Sequence, residues 1–254
     1  MTRSSAARAW EEPAKLLTPN VESPAPPRRR AIVYAWRPAP GRHAAAIERA
    51  LSLRYRFLKR ALDIAVSLSL LLLLLPVGLT VALLVELTSP GPVFYCEERI
   101  GRFGVPFRIF KFRSMYALRP HVLEIGREPH LHASASRFGK KASDPRVTPV
   151  GRILRRTSLD ELPQLWNVLA GDMSLVGPRP IIEAERHLYG CHSPYYDLFR
   201  PGLTGLWQIS GRSEVGYDRR VSFDAEYASR WSCFLDLVIL ARTIPAVVMM
   251  RGAY

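Results

Sequence analysis

Cysteine is scarce in this chain: among 254 residues only Cys96, Cys191 and Cys233 occur. Three thiols cannot all pair with one another, and their spacing fits no metal-ligand pattern. A disulfide framework and a cysteine-built zinc site are therefore not expected. The thiols read as reduced, in a cytosolic setting, serving as small packing residues. The six histidines are scattered, and His130-x-His132 lies in a polar stretch that reads as solvated rather than metal-binding. Acid is also short: 22 Asp and Glu face 36 Lys and Arg, a formal charge of +14. Such a balance calls for an anionic partner, which leaves nucleic acid, an anionic membrane surface or a phosphorylated substrate. A signal-peptide pattern is missing, because no compact apolar run follows the first arginines, and there is no convincing internal repeat. What is present suffices for a core: 48% of residues are hydrophobic, and the length fits one or two domains.

Residues 1–52 are rich in Ala, Pro and Arg, centred on Pro24-Ala25-Pro26-Pro27-Arg28-Arg29-Arg30. Without a sustained apolar period they read as a disordered basic tail. From Ile64 to Val85 no charge occurs, about 22 residues and long enough to cross a hydrocarbon core. Leu70 to Leu75 is unbroken leucine, apolar on every face. Two features argue against a simple span. Pro76 and Gly78 fall near the middle, where proline removes a helical hydrogen bond and bends the axis. Both flanks are basic: Lys59 and Arg60 before, Arg99, Arg102, Arg108, Lys111 and Arg113 after, so positive flanks favour neither exit side. A helix that enters, bends at Pro76 and returns satisfies both flanks.

Beyond Ser89-Pro90-Gly91-Pro92 the composition changes. Val93–Tyr95 and Phe107–Ile109 read as two strands turning through Gly101-Arg102-Phe103-Gly104. In Phe110-Lys111-Phe112-Arg113 basic and aromatic residues interleave. That pattern is open to nucleic-acid stacking, to a half-buried strand whose Lys111 and Arg113 meet a diphosphate, and to a plain amphipathic edge strand. Residues 117–143 show no period and read as a long loop of the lid type. Gly151–Arg156 alternates leucine with arginine, as an interfacial amphipathic helix would. Two prolines fix the backbone around Arg179, a rigid presentation suited to bidentate phosphate recognition. Arg200–Arg212 is glycine-rich, and its Trp207 and Gln208 are candidates for contact with a base or sugar, Trp207 being equally open to a place in the core. From Asp218 to Arg251 the chain reads helical, with Phe234–Arg242 too short and too charged to span.

The organising stretch is Ser158–Asn167. Asp160 and Glu161 are adjacent carboxylates preceding a short helix, with Arg146, Arg152, Arg155 and Arg156 just upstream. Leu162, Leu165, Trp166 and Leu169 fall on one apolar face at helical spacing. Pro163 suits a first turn and Gly171 a C-terminal stop. On local sequence alone, Ser158-x-x-Glu161 is a capping box and Asp160 an ordinary first-turn acid. A helix start also holds a carboxylate ionised and receives a phosphate beside it.

Several separate motifs, in order, decide between these readings: Lys59-Arg60-Ala61-Leu62-Asp63, Lys111–Met115, Asp160–Val168, Gly171–Ser174, Val176–Pro180 and Arg200–Gly205. From about Phe57 onward the chain resembles the bacterial sugar transferases that are monotopic polyprenol-phosphate phosphoglycosyl transferases. The resemblance implies an α+β fold, mostly helical, with a re-entrant membrane helix over about 61–87. It adds interfacial amphipathic helices and a small β-hairpin, in a catalytic domain over 53–254 whose cytosolic part begins near 90. It implies that Asp160 attacks the β-phosphate of a nucleotide-diphospho-sugar, of the UDP-sugar type, forming a covalent phospho-sugar enzyme. A polyprenol phosphate then takes the phospho-sugar, the first step of an exopolysaccharide or other surface glycan. Catalysis is expected from Asp160 and Glu161, which also hold Mg²⁺. Substrate binding is expected from Lys111, Arg113, Arg155, Arg179 and Arg212. The implied partners are the nucleotide sugar, polyprenol phosphate and membrane lipids, not nucleic acid, at the cytoplasmic face of the inner membrane. The chain departs from the family in having Leu75 rather than serine before Pro76, and it lacks the four-helix membrane domain of larger relatives. Without the resemblance, a membrane-tethered nucleic-acid-binding protein or a non-catalytic scaffold remains open.

Overall fold

The computed structural model describes residues 48, 52–116, 144–211 and 216–248. The expected basic tail, apart from Glu48 and Ser52, and the expected loop over 117–143 lie outside the described residues.

Helix α1 runs from Leu53 to Thr88. Its leucines cost little rotamer entropy in a helix, and the run extends unbroken through Pro76. The backbone therefore does not leave the helix at the proline, as a broken re-entrant segment would require. One lost hydrogen bond costs ~3 kcal/mol, which packing on both sides offsets. Thr80 donates its hydroxyl to the Pro76 carbonyl at 2.9 Å, a back-bond of the kind that bends helices. Arg56–Thr88 is long and apolar enough to cross a membrane, by length and composition.

One stripe of α1 faces the rest of the protein. Asp63, Ser67, Val81, Val85 and the flanking Ser89 are buried, and the partly buried Leu70, Leu74 and Gly78 fill the gap between them. The steps are three and four residues, the spacing of one helix face. The remaining faces expose Leu68, Leu72, Leu73, Leu75, Leu79, Leu83, Leu84 and Leu87. Val66, Leu70 and Leu71 pack on the main core, built around Ile109, Leu165, Val168, Met173, Tyr227 and Trp231. Val81 and Val85 join a second cluster with Phe112 and Leu154. The helix is thus laid along the body on both sides of Pro76.

Polar contacts fasten both ends. Near the start, Lys59 Nζ donates to Asp236 Oδ2 at 2.6 Å and to the Val176 carbonyl at 3.0 Å. Arg60 donates to the carbonyls of Val168 and Leu169. Asp63 accepts from the Ser174 hydroxyl and the Leu175 N–H, both at 3.0 Å. At the far end Arg113 donates to the carbonyls of Pro90, Ser89 and Val85 and to the Ser89 hydroxyl. The Val85 and Ser89 carbonyls are groups a helix end leaves unsatisfied.

The hairpin is as expected but longer. β1 (Phe94–Ile100) pairs antiparallel with β2 (Pro106–Phe112). The chain turns through Phe103 and Gly104, both at positive φ. Helix α2 (Pro149–Thr157) starts on Thr148, whose hydroxyl accepts from the Gly151 N–H, a standard N-cap. Helix α3 (Gln164–Ala170) stops at Gly171 with φ 97°, the left-handed C-terminal stop its position implied.

The apolar face of α3 differs from the expected one. Trp166 is 61% exposed, whereas Leu165, Asn167 and Val168 are buried. Asn167 takes the inner position because its amide matches a strand edge. It donates to the Arg108 carbonyl at 2.7 Å and accepts from the Phe110 N–H at 3.0 Å. Hydropathy spacing places the tryptophan inside; hydrogen bonding places the asparagine there.

Two short parallel strands follow, β3 (Ser174–Val176) and β4 (Gly202–Thr204). They approach closely because Gly177 and Gly202 lack side chains: a Cβ on Gly202 would lie 2.1 Å from the Gly177 nitrogen. Helices α4 (Glu183–Arg186), α5 (Ser193–Leu198) and α6 (Leu206–Ile209) are single turns or little more. The C-terminal helical stretch is two helices, α7 (Tyr217–Arg230) and α8 (Cys233–Val248). They part at Trp231, whose indole N–H donates to Asp236 at 3.2 Å. Helix α8 buries Asp236 and Ile239 and exposes Phe234, Leu237 and Ile244. The cysteines are free, but Cys96 and Cys191 are exposed rather than packed.

Candidate active site

The two carboxylates sit on a single 3₁₀ turn, Leu159–Glu161, wedged between α2 and α3. Ser158 ends α2 in the left-handed conformation, φ 59°, and its side chain makes no capping bond. The capping-box reading is therefore incorrect: Ser158 closes one helix instead of opening the next. That sharp left-handed joint turns Asp160 inward. Its side chain is buried, at 3% exposure, whereas Glu161 is partly open.

Cations converge on this pair. Lys111, from the basic end of β2, reaches Glu161 with Nζ 3.6 Å from Oε1. Arg155, from the last turn of α2, faces Asp160, whose negative charge opposes the downward pull of burial on the guanidinium. Its Nε donates to the Ser114 hydroxyl at 3.0 Å. The close approach that permits this is at Gly151, where a Cβ would lie 2.0 Å from the Ser114 carbonyl oxygen. Upstream, Arg146 grips Asp144 bidentately, which holds the Asp144 carboxyl down at about 2.

Arg179 joins the group from the Pro178-Arg179-Pro180 turn. Burial and the charges of Arg220 and Arg99 lower its pKa, while Glu161 and Glu185 act the other way. The ring of Trp207 lies under both guanidiniums, 5.2 Å from that of Arg179 and 5.5 Å from that of Arg220. Glu185 reaches Arg220 at 3.9 Å. Behind this group is Asp224, fully enclosed, accepting from the Tyr189 hydroxyl at 2.8 Å. Burial pushes its carboxyl up to about 7, even with Tyr189 and Arg220 favouring the anion.

The structure thus brings together Asp160, Glu161, Lys111, Arg155 and Arg179. Arg113 is placed elsewhere: buried, it directs its donors at the end of α1. Arg212 lies outside the described residues. Arg220 and Asp224 are absent from the sequence-based candidates, and Arg99 counts there only as a basic flank of the apolar run. Arg220 and Asp224 stand four apart on the same face of α7 as the buried Val221, Ala225 and Ala228, a charged pair on an apolar stripe that was there to be noticed.

Among the described residues no cluster of three or more His, Cys, Asp or Glu could hold a metal by protein ligands alone. The adjacent carboxylates of Asp160 and Glu161 fit a cation such as Mg²⁺, which takes one or two carboxylates and completes its shell with substrate phosphates and water.

The arrangement is an acidic pair under a canopy of fixed cations, beside a helix that presents a bare leucine surface. The sequence profile described as bacterial sugar transferase matches residues 54–250. The chain belongs to the bacterial sugar transferase family. A protein named UDP-galactose-lipid carrier transferase from Erwinia amylovora is 47% identical over 201 residues, covering 78% of this chain and 42% of that protein. The exopolysaccharide production protein ExoY of Rhizobium meliloti is 48% identical over 200 residues, covering 77% of this chain and 88% of ExoY. The undecaprenyl-phosphate galactose phosphotransferase of Salmonella typhimurium is 46% identical over 202 residues, covering 78% of this chain and 42% of that protein. The chain therefore spans under half of two of these proteins and most of the third. Every described residue of the candidate site falls within the matched span.

Proposed function

We propose that the protein is a phosphoglycosyl transferase that moves a sugar-1-phosphate from a nucleotide-diphospho-sugar, of the UDP type, to a polyprenol phosphate. The observation that carries this reading is the buried Asp160 facing Arg155, with Glu161, Lys111 and Arg179 completing one charged cradle. A carboxylate is a competent nucleophile toward phosphorus. Its target is itself anionic, so fixed cations must take up the charge.

An Asp160 oxygen bonds to the β-phosphorus of the donor. The bond from that phosphorus to the bridging oxygen breaks, and the nucleoside monophosphate leaves with the electron pair. An oxygen of polyprenol phosphate then attacks the same phosphorus and releases the Asp160 carboxylate, giving a polyprenol-diphospho-sugar. Asp160 and Glu161 would hold Mg²⁺, which supplies charge neutralisation on the diphosphate. Arg155 and Arg179 orient phosphate oxygens, and Lys111 balances Glu161. The relatives named for undecaprenyl-phosphate sugar transfer and exopolysaccharide production support this substrate pair and a role in starting a surface glycan.

The lipid acceptor requires the site to lie at headgroup depth. Residues 53–254 then act as one membrane-anchored domain on the cytoplasmic face of the inner membrane. The contacts at the two ends of α1 favour a continuous helix that bends or lies in plane, with both ends on one side, over a full span. Lys59, Arg60 and Asp63 at one end and Val85 and Ser89 at the other bind the same body. A span perpendicular to the bilayer would pull that charged body into hydrocarbon.

The test is release of nucleoside monophosphate by purified protein over a panel of nucleotide sugars. One sugar should give turnover with polyprenol phosphate, and Asp160→Asn should lower the rate by about 10³-fold or more. An Asp160→Asn rate near wild type would refute the nucleophile.

A further inference from the structure

A second group of arginines lies away from the carboxylate pair. Arg60 and Arg200 approach one another at Gly171, where a Cβ would lie 3.4 Å from one guanidinium and 3.9 Å from the other. Arg102, at the hairpin tip, feels the charges of Arg56 and Arg200, and burial with that repulsion brings its pKa down to about 10. Arg200 is lowered likewise by burial, Arg60 and Arg56, with Asp63 and Asp172 opposing. Asp63 is already engaged with Ser174 and Leu175, and Arg60 is spent on the α3 carbonyls. Arg102 and Arg200 have no carboxylate within ion-pair distance among the described residues, and Arg102 Nε is buried without a hydrogen bond. Among the described residues, the Arg102 guanidinium lies over the Phe103 ring, 4.4 Å away. Asp63 and Asp172 act on Arg200 from a distance and form no ion pair with it, so an anion joining these cations would relieve their mutual repulsion.

The surroundings say where that anion comes from. Leu53 and Phe57 on the first turns of α1, and Phe103 and Val105 at the hairpin tip, are all exposed. They border the arginines with apolar surface at the end of the membrane helix. A cationic centre with an apolar rim suits a headgroup phosphate whose acyl chains continue along the rim. The group is separate from the catalytic cradle. Arg60 caps the C-terminal end of α3, whereas Asp160 precedes its start. Along β2 the tip is about 17 Å from Lys111 by strand rise.

We propose that Arg56, Arg102 and Arg200, beside Leu53, Phe57 and Phe103, form a binding site for the phosphate of an anionic membrane phospholipid. The site sets the depth and tilt of the domain from the end of α1, and so governs how the distant cradle meets its lipid substrate. The inference assumes membrane placement but not the transfer chemistry.

The test uses the full chain in detergent, in an Asp160→Asn background so that no turnover contributes. Binding of tail-labelled phosphatidylglycerol and phosphatidylcholine is followed by anisotropy. The parent should prefer phosphatidylglycerol by about 10-fold or more, and Arg102→Gln/Arg200→Gln should abolish the preference. Arg102→Lys/Arg200→Lys, which keeps the charge, should restore most of it, so a folding defect is not mistaken for a binding one. Arg230→Gln, an exposed arginine elsewhere, should change nothing. Equal binding of the two lipids by the parent would overturn the proposal. So would a Gln variant that keeps the preference, or displacement of phosphatidylglycerol by millimolar inorganic phosphate, which would mark a site for a soluble anion. Monophosphate release by the unmodified enzyme is read separately, so loss of this inference would leave the proposed transfer standing.

Discussion

Lys59→Met tests how α1 is held. Lys59 and Asp236 are 2.6 Å apart, with side-chain exposures of 13% and 1%. Asp236 also accepts from the Tyr227 hydroxyl at 2.8 Å and the Trp231 indole at 3.2 Å. Methionine keeps most of the stem volume but removes the charge, leaving an enclosed carboxylate with two neutral donors. Breaking a buried pair from one side costs ~3–5 kcal/mol. The two remaining donors place this case at the lower end, ~3 kcal/mol. At ~2–4 °C per kcal/mol for a domain of this size, the unfolding midpoint in detergent should fall by roughly 6–12 °C. Lys59→Met/Asp236→Leu should recover part of the loss, because no charge is left buried. Recovery should be incomplete, since Trp231 loses its acceptor while Tyr227 keeps the Val176 carbonyl. A midpoint for Lys59→Met within ~1 °C of the parent, or strictly additive single effects, would refute the claim that this pair fastens the helix.

Other consequences can be checked on the same preparation. Gly202→Ala should cost ~3 kcal/mol or more, because its Cβ meets backbone atoms at 2.1 Å and 2.3 Å; an unchanged thermal midpoint would contradict the close approach of β3 and β4. Arg113→Lys should lower stability by ~2 kcal/mol, since one ammonium cannot serve four acceptors, yet leave the KM for the donor unchanged. Arg155→Lys should do the reverse, and a large KM effect from Arg113→Lys would return that residue to substrate binding. Asp224 holds its proton more tightly folded than unfolded, its carboxyl raised from 3.8 to about 7. Its contribution is therefore full below about pH 4 and is lost as pH rises toward 7. Asp224→Asn should flatten that part of the midpoint-against-pH curve, and an unaltered slope would show that Asp224 does not titrate there.

The features legible in the sequence are those governed by length and local chemistry. The charge-free run gave α1, and the strand–turn–strand pattern gave the hairpin. Gly171 stops α3 where its position implied, and Pro163 stands before that helix. What escaped depended on partners distant in the chain. Asn167 is inside because β2 presents a backbone edge to it, which no periodicity encodes. Ser158 scans as a cap, but α2 runs up to it and needs a left-handed residue there. Arg113 sits between Phe112 and Ser114 in a motif that reads as basic surface, yet the end of α1 needs its donors. The cradle itself was half legible. Asp160, Glu161, Lys111, Arg155 and Arg179 stand in recognisable motifs, whereas Arg99, Arg220 and Asp224 join them only through folding.

The proposed transfer turns on a temporary bond from an Asp160 oxygen to phosphorus. Its most direct test is to incubate the purified protein with its donor sugar nucleotide in the absence of polyprenol phosphate, quench, digest and weigh the peptides. A sugar-phosphate adduct is expected on the peptide containing Asp160, discharged when polyprenol phosphate is added before the quench. An unmodified Asp160 peptide from enzyme that is releasing nucleoside monophosphate, or the adduct on any other residue, would contradict it.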